Sequence, residues 1–265
     1  MVVAYHTDVQ LTFLKREENM NKVFDLNNRI KIKVFIPEGE TKKEVFIIAH
    51  GFGSSKEGRS TEIIAKKLND NNFIAVSFDF PGHGEAIESI EKLTVDNCIS
   101  YINEVCQYVK KEFENHEISI LATSFGAYVT INKLIKEEAN EFKNIVLRCP
   151  AIDMKNILVN VLINGKLDTF QKEGKIQAGF EKQKELSYSF YEDLCVHNVL
   201  KLYNKKEKIL ILQGTEDAVA PIKDTYEFMR KDSENIKLIP LEGVKHKMTN
   251  EEVEMVMDIV MKEIK

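Results

Sequence analysis

A chain of 265 residues with 43% hydrophobic content and a formal charge of −5 is long enough for one large core, or for a core domain carrying an insertion. Its charges of both signs are interspersed, which speaks against a nucleic-acid groove or a polybasic membrane patch. Met1 to His6 has no basic region followed by a long apolar run. No stretch approaches the roughly 20 apolar residues that cross a bilayer, so the expectation is a cytoplasmic protein without membrane span or nucleic-acid partner. Cys98, Cys106, Cys149 and Cys195 are widely spaced without C-x-x-C, the pattern of buried free thiols rather than of a disulfide framework or a zinc site.

The first third reads as strands: Val9 to Phe13, Lys22 to Leu26, and Ile30 to Ile36, where Ile30, Ile32, Val34 and Ile36 alternate before a turn at Pro37-Glu38-Gly39-Glu40. Val45 to Ala49 is an apolar run too short for a helix and typical of a strand buried on both faces. It delivers His50-Gly51-Phe52-Gly53-Ser54-Ser55. A helix bearing Ile63, Ile64 and Leu68 follows, then a buried strand at Phe73 to Phe78 and a loop, Asp79-Phe80-Pro81-Gly82-His83-Gly84. From there helix and strand alternate: Val95 to Phe113 a helix, Ile118 to Ala122 a strand, Gly126 to Lys136 a helix, Asn144 to Arg148 a strand. Such alternation predicts a mostly parallel sheet of about eight strands with helices on both faces, preceded by an antiparallel edge.

After Cys149-Pro150-Ala151 the rhythm stops for more than fifty residues, which marks residues 153–203 as an insertion and divides the chain into a core domain, 1–152 and 204–265, and a cap. Within the insertion the polar segment Lys166 to Lys175 is expected to form a hairpin. Order resumes with a strand at Lys208 to Gln213, a helix around Thr225 to Lys231, and a last strand at Ile236 to Leu241. Thr249 with Glu252 forms a capping box for a closing helix striped by Val253, Val256, Met257 and Val260.

The chemistry-bearing residues fall at strand ends. In Ile118 to Ala127 an apolar run breaks at Ser124 between Ala122 and Gly126, a sharp turn that pushes the serine hydroxyl out above the sheet. A serine there could equally cap the following helix. Asp217 follows a later strand and His246 the last one, and carboxyl ends of strands are where open α/β sheets place their ligands. A serine hydroxyl is a poor nucleophile unless an imidazole takes its proton and a carboxylate steadies that imidazole. The backbone N–H groups of Phe52 and Phe125 are the candidate donors for an oxyanion. Asp153, after the sixth strand, is the rival acid.

Taken together, His50-Gly51-Phe52-Gly53, Asp79 with Pro81-Gly82-His83-Gly84, the Ser124 elbow, Gly214-Thr215-Glu216-Asp217-Ala218-Val219-Ala220-Pro221, and Gly243 before His246 resemble the α/β-hydrolase superfamily over nearly the whole chain. Ala122 departs from G-x-S-x-G but keeps a small side chain. The length and place of the insertion, with Leu186 to Asn198, resemble the small cytosolic feruloyl and cinnamoyl esterases. The resemblance implies an α/β-hydrolase fold and a serine esterase that cleaves carboxylic esters through Ser124, His246 and Asp217 and an acyl-enzyme, with no metal and no organic cofactor. Its partner would be a small-molecule ester and, at most, a second copy of the chain as a homodimer.

Alternatives stay open. The same machinery serves a thioesterase or a small-peptide or amide hydrolase, and a binding or signalling protein could keep the triad to hold a ligand. Phe170, Phe180, Tyr188, Phe190 and Tyr191 of the insertion are expected to supply an apolar wall for the substrate, at least half of them instead making a small core of the cap itself. His50 and His83 read as loop-stabilising through backbone hydrogen bonds, His197 as structural, His6 and His116 as solvated. Gly51-x-Gly53-x-x-Lys56 places lysine where a dinucleotide loop needs its third glycine, and Gly-Lys-Ser/Thr is absent.

Overall fold

The computed structural model describes residues 22–264, so the expected strand at Val9 to Phe13, and His6, lie outside the described residues. The described chain begins with a hairpin, β1 (Lys22–Leu26) against β2 (Ile30–Phe35), turned through Asn27 and Asn28, both at φ 52°. Asparagine tolerates that left-handed conformation better than most side chains. Then come β3 (Glu44–Ala49), α1 (Arg59–Asp70), β4 (Ile74–Phe78), α2 (Val95–Glu112), β5 (Glu117–Thr123), α3 (Phe125–Lys136) and β6 (Phe142–Arg148). The alternation then gives way to α4 (Met154–Ile157), which runs on as a wider turn over Leu158–Leu162, α5 (Leu167–Glu173), the hairpin of β7 (Lys175–Ala178) and β8 (Lys184–Ser187), α6 (Tyr188–Val196) and α7 (Val199–Leu202). Finally β9 (Ile209–Gly214), α8 (Ile222–Met229), β10 (Ile236–Leu241) and α9 (Asn250–Glu263) return to the sheet.

Among the described residues the main sheet has eight strands in the order β1-β2-β4-β3-β5-β6-β9-β10. β2 is antiparallel to β1 and β4, and every pair from β4 to β10 is parallel. This is the α/β-hydrolase arrangement. Successive side chains of a strand point to opposite faces, so Val45, Ile47 and Ala49 join one core with Cys98, Ile102 and Val105 of α2, while Phe46 and Ile48 join another with Ile64 and Leu68 of α1 and Val253, Val256 and Val260 of α9. Each such side chain fully withdrawn from water contributes about 1.5–3 kcal/mol. The central strands are thereby fixed, and so is the row of loops at their carboxyl ends.

The segment Lys166 to Lys175 corrects the sequence reading: it is mostly helix, and the hairpin begins only at Lys175. Two contacts decide this. Phe170 is fully buried with its ring 5.3 Å from that of Tyr188. Gly174, at φ 71°, ends the helix by donating its N–H to Phe170 O at 2.9 Å, a left-handed stop that glycine takes without steric cost. The expected capping box at the start of α9 is present, with Thr249 N–H donating to Glu252 Oε2 at 2.7 Å and Glu252 N–H to Thr249 Oγ1 at 3.2 Å. Among the described residues no helix is long and apolar enough to cross a membrane.

Candidate active site

Between β5 and α3 the backbone turns at Ser124 with φ 51° and ψ −109°, a conformation costly for any side chain. The turn is held by Ser124 N–H donating to Arg148 O at 3.0 Å, and by Tyr128 N–H and Ala151 N–H donating to Ser124 O at 3.1 and 3.2 Å. It can close because Gly126 has no side chain: a Cβ there would stand 2.5 Å from Ala49 O and 2.7 Å from His50 O. Ala122, in place of the motif's first glycine, is fully buried in the core. Ser124 precedes α3 but its side chain makes no capping hydrogen bond, so the helix-cap reading fails.

The hydroxyl is engaged elsewhere. Ser124 Oγ lies 3.0 Å from His246 Nε2, and His246 Nδ1 lies 2.7 Å from Asp217 Oδ2. With Nδ1 donating to the carboxylate, Nε2 is left as the acceptor for the serine proton. Asp217 Oδ1 accepts from Val219 N–H at 3.0 Å and Ala220 N–H at 2.8 Å, and its Oδ2 accepts from Gln213 Nε2 at 2.9 Å. The Asp217 side chain is wholly shielded from solvent and that of His246 is 19% exposed. Two loops carry this pair, and they are laced together: Glu216 N–H donates to Val244 O at 3.0 Å and Gly243 N–H to Thr215 Oγ1 at 2.9 Å. The approach requires Gly214, where a Cβ would fall 2.1 Å from Val244 O.

Asp153 is not part of the constellation; its Oδ1 caps α4 by accepting from Asn156 N–H at 3.1 Å. The loop after β3 lies directly against the elbow, since a Cβ on Gly51 would stand 3.3 Å from Ser124 Cβ. Phe52 therefore sits beside the serine, with its ring centroid 6.3 Å from that of Phe125. His50 and His83 are buried and bonded to the loops. His50 Nδ1–H donates to Gly51 O at 2.8 Å while its Nε2 accepts from Phe80 N–H at 3.1 Å, and His83 Nδ1–H donates to Pro81 O at 2.9 Å. Burial pushes their pKa down to about 4 and about 3, so both are neutral at pH 7. Lys56 is buried in ion pairs with Asp79 at 3.3 Å and Glu85 at 2.6 Å. His197 bonds within its own turn, its Nδ1 lying 2.8 Å from Asp193 O, and His116 Nδ1 lies 3.1 Å from Glu114 O.

The five aromatics of residues 153–203 separate into three kinds. Phe170 and Phe190 are core residues, the latter 6.2 Å from the Phe125 ring. Tyr188 and Tyr191 are half-buried with centroids 5.3 Å apart. Phe180 is 59% exposed at the tip of the β7–β8 hairpin. That tip reaches across the loops: Lys184 Nζ donates to Gly82 O at 2.6 Å, and Glu181 pairs with Lys247 at 2.7 Å, one residue beyond His246. Gln213 was invisible in the sequence, where it ends an apolar run. In the structure it is fully buried, and its Oε1 accepts from Thr225 Oγ1 at 3.2 Å, which orients the amide toward Asp217.

A sequence model of the family described as serine aminopeptidase, S33, matches residues 40–193. The chain is 29% identical over 272 residues to a monoglyceride lipase homolog of Monkeypox virus, covering 92% of this chain and 96% of that one. Its fold is similar to that of Est1E from Butyrivibrio proteoclasticus, solved with ferulic acid bound, at TM-score 0.76 and 21% identity, over 91% of this chain and 98% of that one. It is also similar to a monoacylglycerol lipase of Paleococcus ferrophilus, at TM-score 0.67 and 16% identity, over 89% and 98%.

Proposed function

The chain belongs to the serine aminopeptidase S33 family and takes the α/β-hydrolase fold, and on that premise we propose that it is a carboxylic ester hydrolase acting through a Ser124–His246–Asp217 triad and an acyl-enzyme. The observation that carries this reading is the unbroken chain from Ser124 Oγ through the imidazole to a buried carboxylate, at 3.0 and 2.7 Å. Ser124 Oγ attacks the ester carbonyl as His246 Nε2 takes its proton, and Asp217 holds the resulting imidazolium through Nδ1–H. Charge collects on the carbonyl oxygen, which the Phe52 and Phe125 N–H groups receive. Collapse expels the alcohol with the proton from Nε2. Water then gives its proton to the same nitrogen, attacks the acyl-enzyme and releases the acid.

Ester over amide is favoured by the names of the relatives, a monoglyceride lipase homolog and a structure holding ferulic acid. The family description favours the second reading, an amide or small-peptide hydrolase with the same triad. In both readings we take residues 153–203 as the cap, and half-buried Tyr188 and Tyr191, with exposed Phe180 at the hairpin tip, as the aromatics that meet substrate. Four free cysteines suit a reducing compartment, and we assign the protein to the cytoplasm. The test is fluorophosphonate labelling at Ser124 followed by kcat/KM across esters, thioesters and amides of one acyl group. Ser124→Ala should fold with an unchanged Tm and lose about 10⁶-fold in kcat. Retained turnover in that variant would sink the mechanism, and amides turned over faster than esters would select the second reading.

A further inference from the structure

The residue after β6 carries a thiol for which the proposed mechanism has no use. Cys149 N–H donates to Leu212 O at 2.9 Å, continuing the sheet for one more bond, and the backbone there takes φ 46°, a conformation L side chains seldom adopt. That turn brings the thiol behind the acid. Cys149 Sγ, a carboxylate oxygen of Asp217 and a ring nitrogen of His246 all lie within 4.8 Å of one another. Thiolate, imidazole and carboxylate are the three ligand types that Zn²⁺ takes, at about 2.3, 2.0 and 2.0 Å. Two ligands of one tetrahedral zinc stand about 3.5 Å apart, so the cluster has to close by at most about an ångström while the 2.7 Å contact of His246 Nδ1 with Asp217 Oδ2 opens. Among the described residues this is the one such group.

We propose that Cys149, Asp217 and His246 form a binding site for a thiophilic divalent cation, Zn²⁺ above all, whose occupation reversibly switches off the catalytic serine. The inference rests on the triad reading for its inhibitory consequence, and on the ligand cluster alone for the site. Bonds form from zinc to Cys149 Sγ, to an Asp217 oxygen and to His246 Nδ1, the nitrogen 2.7 Å from Asp217 Oδ2. The S–H bond breaks and its proton leaves to solvent, while the imidazole changes tautomer: the Nδ1–H bond breaks, Nε2 takes up a proton so that the ring stays neutral, and a water keeps the fourth position. No electron changes hands. The metal replaces the Nδ1–H to carboxylate hydrogen bond, so Asp217 can no longer stabilise an imidazolium, and His246 loses its use as a base.

The route in is the open side of His246, since Cys149 and Asp217 are themselves buried. Without metal, His246 Nδ1 keeps its 2.7 Å hydrogen bond to Asp217 Oδ2. Zinc competes with that bond and takes Cys149 as thiolate, because a thiol coordinated to zinc is deprotonated outright. The resting protein is therefore active, and the site acts only when free metal rises.

The test titrates free Zn²⁺, set by a chelator buffer, against hydrolysis of p-nitrophenyl acetate, and titrates Co²⁺ in parallel by absorption. Activity is expected to fall with Zn²⁺ and return with EDTA, and Co²⁺ to give a sulfur-to-cobalt charge-transfer band. Cys149→Ser and Cys149→Gly should abolish the band and raise the inhibition midpoint at least about 100-fold, since loss of an outer-shell partner alone costs 10 to 100-fold in metal affinity. Glycine also suits the positive φ, so that variant keeps the fold. Cys195→Ser, at an exposed thiol, should change neither midpoint nor band. An unchanged midpoint in both Cys149 variants, or no band in the wild type, overturns the site. An active esterase without the band leaves the hydrolase reading standing; a Cys149-dependent band in a protein that cleaves no ester does the reverse.

Discussion

Two neighbouring residues make contacts of the same length and of opposite character. His246 Nδ1 and Lys247 Nζ each lie 2.7 Å from a carboxylate oxygen, the first on Asp217 and the second on Glu181. The Asp217 side chain is wholly shielded and accepts from three further donors, whereas Glu181 and Lys247 are 81% and 84% exposed. Water screens the second pair and competes for it, so distance alone says little about what a contact contributes. The first pair can set a tautomer and hold a developing charge; the second positions a hairpin tip that solvent can release. Chemistry should therefore depend steeply on the buried pair, and access to the site only weakly on the exposed one.

The largest expected break in that comparison is Asp217→Asn. An amide keeps the shape but favours the wrong imidazole tautomer, and kcat should fall by about 10⁴-fold. Asp153→Asn, which alters only the cap of a four-residue helix, should stay within about tenfold. Steady-state kinetics on one ester decides the matter, and reversed losses would mean that the acid is misassigned.

Burial that confers strength also has a cost, which appears at His50 and His83. Their folded pKa values of about 4 and about 3 lie below the ordinary value near 6.5 that the unfolded chain regains. Their contribution to stability is thus complete above about pH 6.5, declines as pH falls below it, and is lost by about pH 4 for His50 and about pH 3 for His83. Each adds a slope of about 1.4 kcal/mol per pH unit in that window. His197 works the other way, because its hydrogen bond to Asp193 raises its pKa. Urea unfolding at pH 7.5, 6.5, 5.5 and 4.5 should show the loss, and His83→Gln should flatten it. A slope unchanged in that variant would place the acid sensitivity elsewhere.

A smaller effect is expected one residue behind the Asp217 carboxylate. Gln213→Leu removes the donor to Asp217 Oδ2 and leaves Thr225 and Ala220 O short of a partner in a buried site. An unmet buried polar group costs about 1–3 kcal/mol, so kcat should drop about 10 to 100-fold with KM little changed. A rise in KM at constant kcat would show that Gln213 shapes the substrate pocket instead of the acid.

The sequence was legible where chemistry and backbone demand the same residue. Val45 to Ala49 and Ile118 to Ala122 read as buried strands because a sheet covered on both faces leaves no room for polar side chains, and Gly126 stood out because the elbow needs a missing Cβ. Ser124, Asp217 and His246 were marked by their places just past strand ends. Gln213 was not, because one amide at the end of an apolar run carries no sign of where its side chain turns. Nor was Cys149, whose companions lie at 217 and 246 and meet it only through the sheet order. Leu167 to Glu173 was misread because seven residues hold too little periodicity; the helix depends on Phe170 meeting Tyr188 across the hairpin. The same packing decides which aromatics of residues 153–203 are core and which face outward, and composition has no access to it.

The smallest expected effect tests the exposed half of the comparison directly. Glu181→Ala removes the contact between the hairpin tip and the residue beside His246 without touching any buried group. Lys247 draws the Glu181 carboxyl below its ordinary pKa, which shows attraction, but both groups keep most of their hydration and the pairing is screened within about 8 Å at physiological salt. Tm should not move. The tip is still held by Lys184 Nζ on Gly82 O, at 2.6 Å in a partly buried setting, and by Gly179 N–H on Leu162 O at 3.1 Å. Acetate esters, which need no room under the tip, should therefore be cleaved at the wild-type rate. Bulky aromatic or long acyl esters should change kcat/KM by no more than about threefold, and salt at about 0.5 M should erase the difference, as expected for a screened surface pair. A large, salt-insensitive change for every ester would mean that the tip bears on His246 itself, and that exposure is a poor guide to what the second contact does.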